Sequence, residues 1–88
     1  MHVETFHYQK GHRTPWHQHP SGQFYWLQRG ILIIEMADVQ WTVTPGTFGW
    51  FPGECRHCAQ VPGEVAGKSL YLDAEHARHF PVQAGIYS

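Results

Sequence analysis

Two histidines one residue apart, in the stretch HQHPSGQ at residues 17–23, are where the chain's capacity for chemistry concentrates. On an extended strand His17 and His19 point to the same side with Cα atoms roughly 6.6 Å apart, so their imidazoles can meet at one ion. Gln23 follows the turn-prone Pro20-Ser21-Gly22 and can turn a carbonyl oxygen back to that side. A further ligand has to come from elsewhere. The remaining histidine on a central strand candidate is His57, just after FPGECR. Neutral imidazole is the commonest metal ligand in proteins, and three of them with an oxygen donor suit a divalent transition ion: zinc, nickel, iron or manganese, with copper compatible on donor chemistry. The HxH pattern by itself fits two polar residues beside a loop equally well.

Strands must do the positioning. Gly and Pro recur at short intervals (Gly11, Pro15, Pro20 to Gly22, Gly30, Pro45-Gly46, Pro52-Gly53, Pro62-Gly63, Gly67), and β-branched or aromatic runs lie between them. This punctuation predicts strands over 3–8, 11–17, 23–28, 31–36, 39–43, 48–51, 56–61 and 68–72, hence a sandwich or barrel. Val39, Trp41 and Val43 alternate with Gln40, Thr42 and Thr44, one dry face against one wet. Ala37-Asp38 joins 31–36 to 39–43 as a hairpin. One helical signal comes late: Asp73 can cap a short turn through DAEHARHF, which Pro81 stops.

The 88 residues form one domain, spanning 1–88, with a formal net charge of −1. A chain of this length buries only about 60–65% of its unfolded surface, so a metal or partner subunit adds usefully to its stability. Near-neutral charge gives no electrostatic footprint for nucleic acid or an anionic membrane. The longest apolar run, Ile31 to Ile34, is strand-sized, far from the roughly 20 residues that span a bilayer. MHVETFHYQK lacks the basic and apolar regions of a signal peptide, so a cytoplasmic location is expected. Cys55 and Cys58 have CxxC spacing. On a strand, i and i+3 point to opposite faces roughly 10 Å apart, too far for a disulfide, and two reduced thiols are expected.

Gly11, five residues, His17-Gln18-His19, three residues, Gln23, six residues and Gly30 together resemble the first cupin motif, over about 11–30. Gly46, five residues, Pro52 and then His57 resemble the second, over about 46–61. Glu54 stands where a glycine is usual, and Val61 where an asparagine is frequent. The resemblance covers roughly residues 5–72. It implies an all-β fold, a double-stranded β-helix or jelly-roll barrel, here with a short C-terminal helix. It also implies a metal set of His17, His19, Gln23 and His57, with Gln23 in place of the usual glutamate. Glutamine offers only a neutral carbonyl oxygen, so the ion keeps nearly its full 2+ charge; metal binding weakens, and anionic ligands such as a carboxylate are favoured.

The segments GQFYWLQRGILIIE and WTVTPGTFGWFPGECRHCAQVPGEVAGKSLYLDAEHARHFP resemble the sensor domain of arabinose-regulator-type (AraC-type) transcription factors. The resemblance implies a cupin barrel that binds a small effector beside a separate DNA-binding region. No such region occurs within these 88 residues, so no direct nucleic-acid contact by this chain is expected. The alternative is a small metal-dependent cupin enzyme, a dioxygenase or an isomerase. No Ser-His-Asp order, phosphate loop or paired catalytic carboxylates can be assembled, and only Glu54 and Tyr25 offer acid-base groups, which favours sensing.

Thirteen aromatics are many for so short a chain. Trp41 and Phe51 are most simply core. Trp16, Tyr25 and Trp50 are candidates for the mouth of a ligand pocket, and Arg56, beside His57, for a bound anion. His76 and His79 are most simply a solvated helix face. Phe24 and Trp26 face away from Tyr25, and Ile31 to Ile34 is apolar on both sides. Such surfaces need covering, and a homodimer is the expected cover.

Overall fold

Between those glycine and proline turns the backbone runs as short strands, in a computed structural model that describes residues 2–88. They are β1 (His2–Tyr8), β2 (Gly22–Arg29), β3 (Leu32–Glu35), β4 (Gln40–Val43), β5 (Phe48–Phe51), β6 (Cys58–Gln60), β7 (Val65–Leu72) and β8 (Gly85–Tyr87), with the helix α1 (Ala74–Ala77) before the last. All named pairings are antiparallel. One sheet has the order β1-β7-β2-β5-β8 and the other β4-β3-β6. Their facing surfaces make the barrel of a jelly roll. The helix is too short to span a membrane, and no other helix occurs among the described residues.

Alternation decides what goes inside. Tyr25 and Leu27 of β2, Phe51 of β5 and Val65 of β7 meet Leu32, Ile34 and Val43 of the smaller sheet in one buried cluster. Fully burying each such aliphatic or phenyl side chain is worth about 1.5–3 kcal/mol, which is the main source of stability available to so small a domain. Trp41 packs partly buried against this cluster and Phe51 lies inside it, as expected of core residues. The β3–β4 hairpin turns at Ala37-Asp38, with Met36 and Val39 exchanging backbone hydrogen bonds.

Residues 11–17 depart from the expected strand. They pair only through isolated bridges, Arg13 to Gln60 and His17 to His57. Gly11, Thr14 and His17 each donate a backbone N–H to the 57–61 segment. Pro15 has no N–H to offer, which interrupts a regular ladder. The expected 56–61 strand shortens to β6 for the same reason, since its partner is irregular. Strand β8 has no counterpart in the sequence reading. Its three residues carry too little pattern alone, and it forms by adding to the edge of β5.

Gly30, the last position of the first motif, turns the chain from one sheet to the other with φ +86°. A Cβ there would lie 2.3 Å from the carbonyl oxygen of Glu64. Both the left-handed backbone and the close approach require glycine. Gly30→Ala is expected to cost about 2–4 kcal/mol, lowering the thermal midpoint by roughly 10 °C or more in a calorimetric scan.

Candidate metal centre

Two loops bring the histidines together. His17 and His57 exchange backbone hydrogen bonds, N to O at 2.9 and 2.8 Å. One turn further on, Glu54 donates its N–H to the carbonyl of His19 at 2.8 Å, and the Gln18 amide donates to the Glu54 carboxylate at 3.1 Å. Glu54 takes φ 65°, the left-handed conformation that glycine adopts without cost. The unusual residue therefore keeps the backbone shape of the motif. Beside it, Gly53 passes so close to Pro20 that a Cβ would sit 2.0 Å from the Pro20 carbonyl oxygen.

Each imidazole is oriented by its own neighbourhood. Nδ1 of His17 lies 2.7 Å from the Pro15 carbonyl, that of His19 2.8 Å from the Ser21 carbonyl, and that of His57 2.7 Å from the Cys55 carbonyl. A carbonyl only accepts, so in all three rings Nδ1 carries the proton. In the neutral ring this leaves a lone pair on Nε2. Ligand atoms of the three rings lie within 4.8 Å of one another. The Nε2 atoms of His19 and His57 are buried without a hydrogen-bond partner. Buried polar atoms are almost always satisfied, and ligating histidines characteristically hydrogen-bond through their other nitrogen, so these residues fit a divalent ion. An ion held there acts as a Lewis acid toward an oxygen ligand.

Burial pushes the His57 imidazole below its ordinary value, with the other two histidines adding to the effect against its bond to the Cys55 carbonyl. The ring is thus kept neutral, as a ligand must be. Gln23 is buried on the inner face of β2, and its amide donates to Ser69 Oγ at 3.3 Å. It borders the same cavity as His17 and His19.

That cavity, about 130 Å³, lies over the inner face of β1, β7 and β2, against His17 and His19 and against Leu32 and Ala59 of the smaller sheet. Its lining includes groups that the sequence did not single out: Glu4, Tyr8, Ser69 and Tyr71. They follow from register. Glu4, Ser69 and Tyr25 are cross-strand neighbours in one row, and Tyr71 and Gln23 in the next. The alternation Glu4-Phe6-Tyr8 was visible, but which face was inner was not. The ring of Tyr71 stands edge-on to His19 at 5.9 Å. Burial pushes the phenols of Tyr25 and Tyr71 up, and the negative charge of Glu4 adds to this. Both phenols are therefore hydrogen-bond donors at neutral pH.

Of the four proposed ligand contacts, Tyr25 lines this cavity and three stand elsewhere. Trp50 pairs with Phe24, so it shares the outer face of the five-stranded sheet. There it packs on Phe24 and Phe80, with its indole N–H donating to the Pro81 carbonyl at 2.7 Å. Trp16 and Arg56 border a separate surface hollow with Ala37, the guanidinium 6.0 Å from the indole centroid. As immediate neighbours of His17 and His57, they are turned outward by the alternation that turns the histidines in. Cys55 and Cys58 are free thiols, as expected. His76 is held by the Asp73 carboxylate at 2.7 Å, as part of the helix cap.

A family model described as a cupin domain matches residues 4–74. No curated protein matches the chain in sequence. Among solved structures, a cupin superfamily protein from Desulfitobacterium hafniense superposes with TM-score 0.75 at 15% identity, over 81% of this chain and 65% of that one. A cupin-2 domain protein from Shewanella frigidimarina gives 0.69 at 18% identity, over 76% and 65%. A DMSP lyase from Ruegeria pomeroyi gives 0.72 at 19% identity, over 82% and 38%. The chain thus spans less than two thirds of the length of each.

Removing one imidazole from the cluster is expected to weaken zinc binding by roughly 100-fold or more, measured as His57→Ala against the parent by competition with a chelating dye. In the metal-free protein, a His57 imidazole held below its ordinary value of 6.5 stabilises the fold above that pH. The unfolded chain takes up the proton first, so stability falls as pH drops below about 6.5. Urea melts of metal-free protein at pH 7.5 and 5.5 are expected to show this loss, and the same melts of His57→Ala to show less of it.

Proposed function

The chain belongs to the cupin family, and on that premise we propose that it holds a divalent transition metal on His17, His19, His57 and Gln23 and binds a small molecule over it. The observation that carries this is the shared orientation of the three rings: every Nδ1 engaged by a backbone carbonyl, with two Nε2 atoms buried and unpartnered. Zinc, nickel, iron and manganese all suit the donor set. The use we propose is effector sensing, as in the AraC-type regulators that GKSLYLD and the helix after it resemble. Asp73 caps α1 directly after β7, at the place that resemblance expects. A carboxylate is the favoured ligand, because the ion's charge is left uncompensated by four neutral donors.

Catalysis is the second reading, favoured by Glu4 and Tyr71. These two groups give the cavity the acid-base capacity that the sequence lacked. The similar fold of a DMSP lyase is compatible with it. Protein purified without a histidine tag is expected to carry about one metal ion per chain by plasma mass spectrometry, with Gln23→Glu binding it roughly tenfold more tightly. Absence of metal from both purified and zinc-incubated protein would refute the centre. A co-purifying small molecule that is released unchanged marks sensing; oxygen consumption with added Fe(II), or conversion of that molecule, marks catalysis.

We also propose a homodimer. The outer face of the five-stranded sheet carries the rows Val3-Leu70-Phe24-Trp50 and Trp26-Phe48-Tyr87. Phe24, Trp26, Phe48 and Leu70 border an apolar hollow of about 530 Å³ on it. Val3, Phe48 and Tyr87 remain exposed, and so does Ile31 just before β3. Light scattering is expected to give twice the 10.2 kDa chain mass, and Phe48→Glu, which places a charge in the apolar face, to return it to one chain.

A further inference from the structure

We infer that Glu4 selects the ligand: the cavity takes a short monocarboxylate whose far end carries a hydrogen-bond donor, a hydroxyl or an ammonium, and disfavours one with a second negative charge. This rests on the metal centre proposed above, whose ion draws the ligand's carboxylate to the histidine end.

The cavity is electrically lopsided. Among the described residues no lysine or arginine lines it, and imidazoles that hold a metal do so in the neutral form. Glu4 is its single carboxylate. It lies on β1, the edge strand of the sheet, opposite Ser69 and in the same cross-strand row as Tyr25. It stands outside the group of side chains able to share an ion. A bound ligand therefore meets a cation at one end and an anion at the other.

The Tyr25 phenol can donate to a ligand oxygen, while that of Tyr71 is shared with Glu4 and Ser69; neither balances another charge. Glu4 is an exposed residue whose ion-pair partner is the equally exposed His2 imidazole at 3.4 Å, so a second carboxylate at the rim would meet a like charge with no lysine or arginine beside it. A hydroxyl or ammonium there would instead donate to the Glu4 carboxylate, a charge-assisted bond. The volume of about 130 Å³ corresponds to about four waters at roughly 30 Å³ each, room for a chain of about four carbons.

The test is calorimetry on protein loaded with one equivalent of zinc at pH 8, where imidazole is neutral. The probes share one four-carbon chain: 4-hydroxybutyrate, 4-aminobutyrate, butyrate and succinate. The hydroxy and amino acids are expected to bind roughly tenfold more tightly than butyrate, with succinate the weakest. Glu4→Gln, an exposed edge-strand change with zinc content and thermal midpoint as controls, is expected to bring succinate within about threefold of 4-hydroxybutyrate. Succinate binding the parent as tightly as 4-hydroxybutyrate would overturn the inference. So would a gap that Glu4→Gln leaves unchanged. Zinc-loaded protein that binds none of the four overturns the inference and leaves the metal centre standing, whereas failure to take up zinc overturns both.

Discussion

The pair of backbone hydrogen bonds between His17 and His57 is the contact on which the rest depends. Together with the bonds of Gly11 and Thr14 to Val61 and Ala59, it holds the 11–19 segment, interrupted by Pro15 and outside any regular strand, over the barrel. With it, two residues forty positions apart in the chain are placed side by side, ring centroids 4.4 Å apart. The reciprocal bond is the antiparallel narrow pair, and it sets both side chains on one face. His19 is then located by the neighbouring bond from Glu54, whose left-handed backbone brings its N–H round to the His19 carbonyl.

The centre is organised before any ion arrives. Three carbonyls of nearby loop residues hold the rings in the tautomer a metal requires, which removes most of the rotational freedom that binding would otherwise have to quench. The arrangement is unfavourable by itself. Two imidazole nitrogens are buried without partners, each costing about 1–3 kcal/mol in lost hydration. His57 is kept neutral by the same burial. A site that is costly when empty and well ordered is what a ligand-requiring centre looks like physically, since binding relieves the cost.

The two faces of the five-stranded sheet have separate tasks. Its inner face alternates core residues with the polar row Glu4-Ser69-Tyr25, so the same strands that close the hydrophobic cluster also line the cavity. Its outer face is apolar and aromatic around Trp50, where the C-terminal segment supplies Phe80 and the Pro81 carbonyl. The similar structures share this frame at 15–19% identity. The frame needs apolar residues at alternating positions and glycine at a few turns, not particular side chains.

Much of this was legible in the chain. Turn punctuation and period-two alternation gave seven of the eight strands in whole or part, the 37–38 hairpin and the Asp73 cap, because those signals are local. Missing were β8, whose three residues are held only by the edge of β5, and the irregular path of 11–17, where a proline overrides an extended-looking run. The spacing of His17, His19 and His57 named the rings that converge, since their positions belong to a motif of fixed lengths. Sequence could not show that Trp50 faces outward or that Glu4 and Tyr71 face the cavity. Alternation states which residues share a face, but only the pairing of β1 with β7 and of β7 with β2 decides which face is enclosed. The three converging imidazoles were written in the sequence, and the chamber above them was settled by long-range strand register.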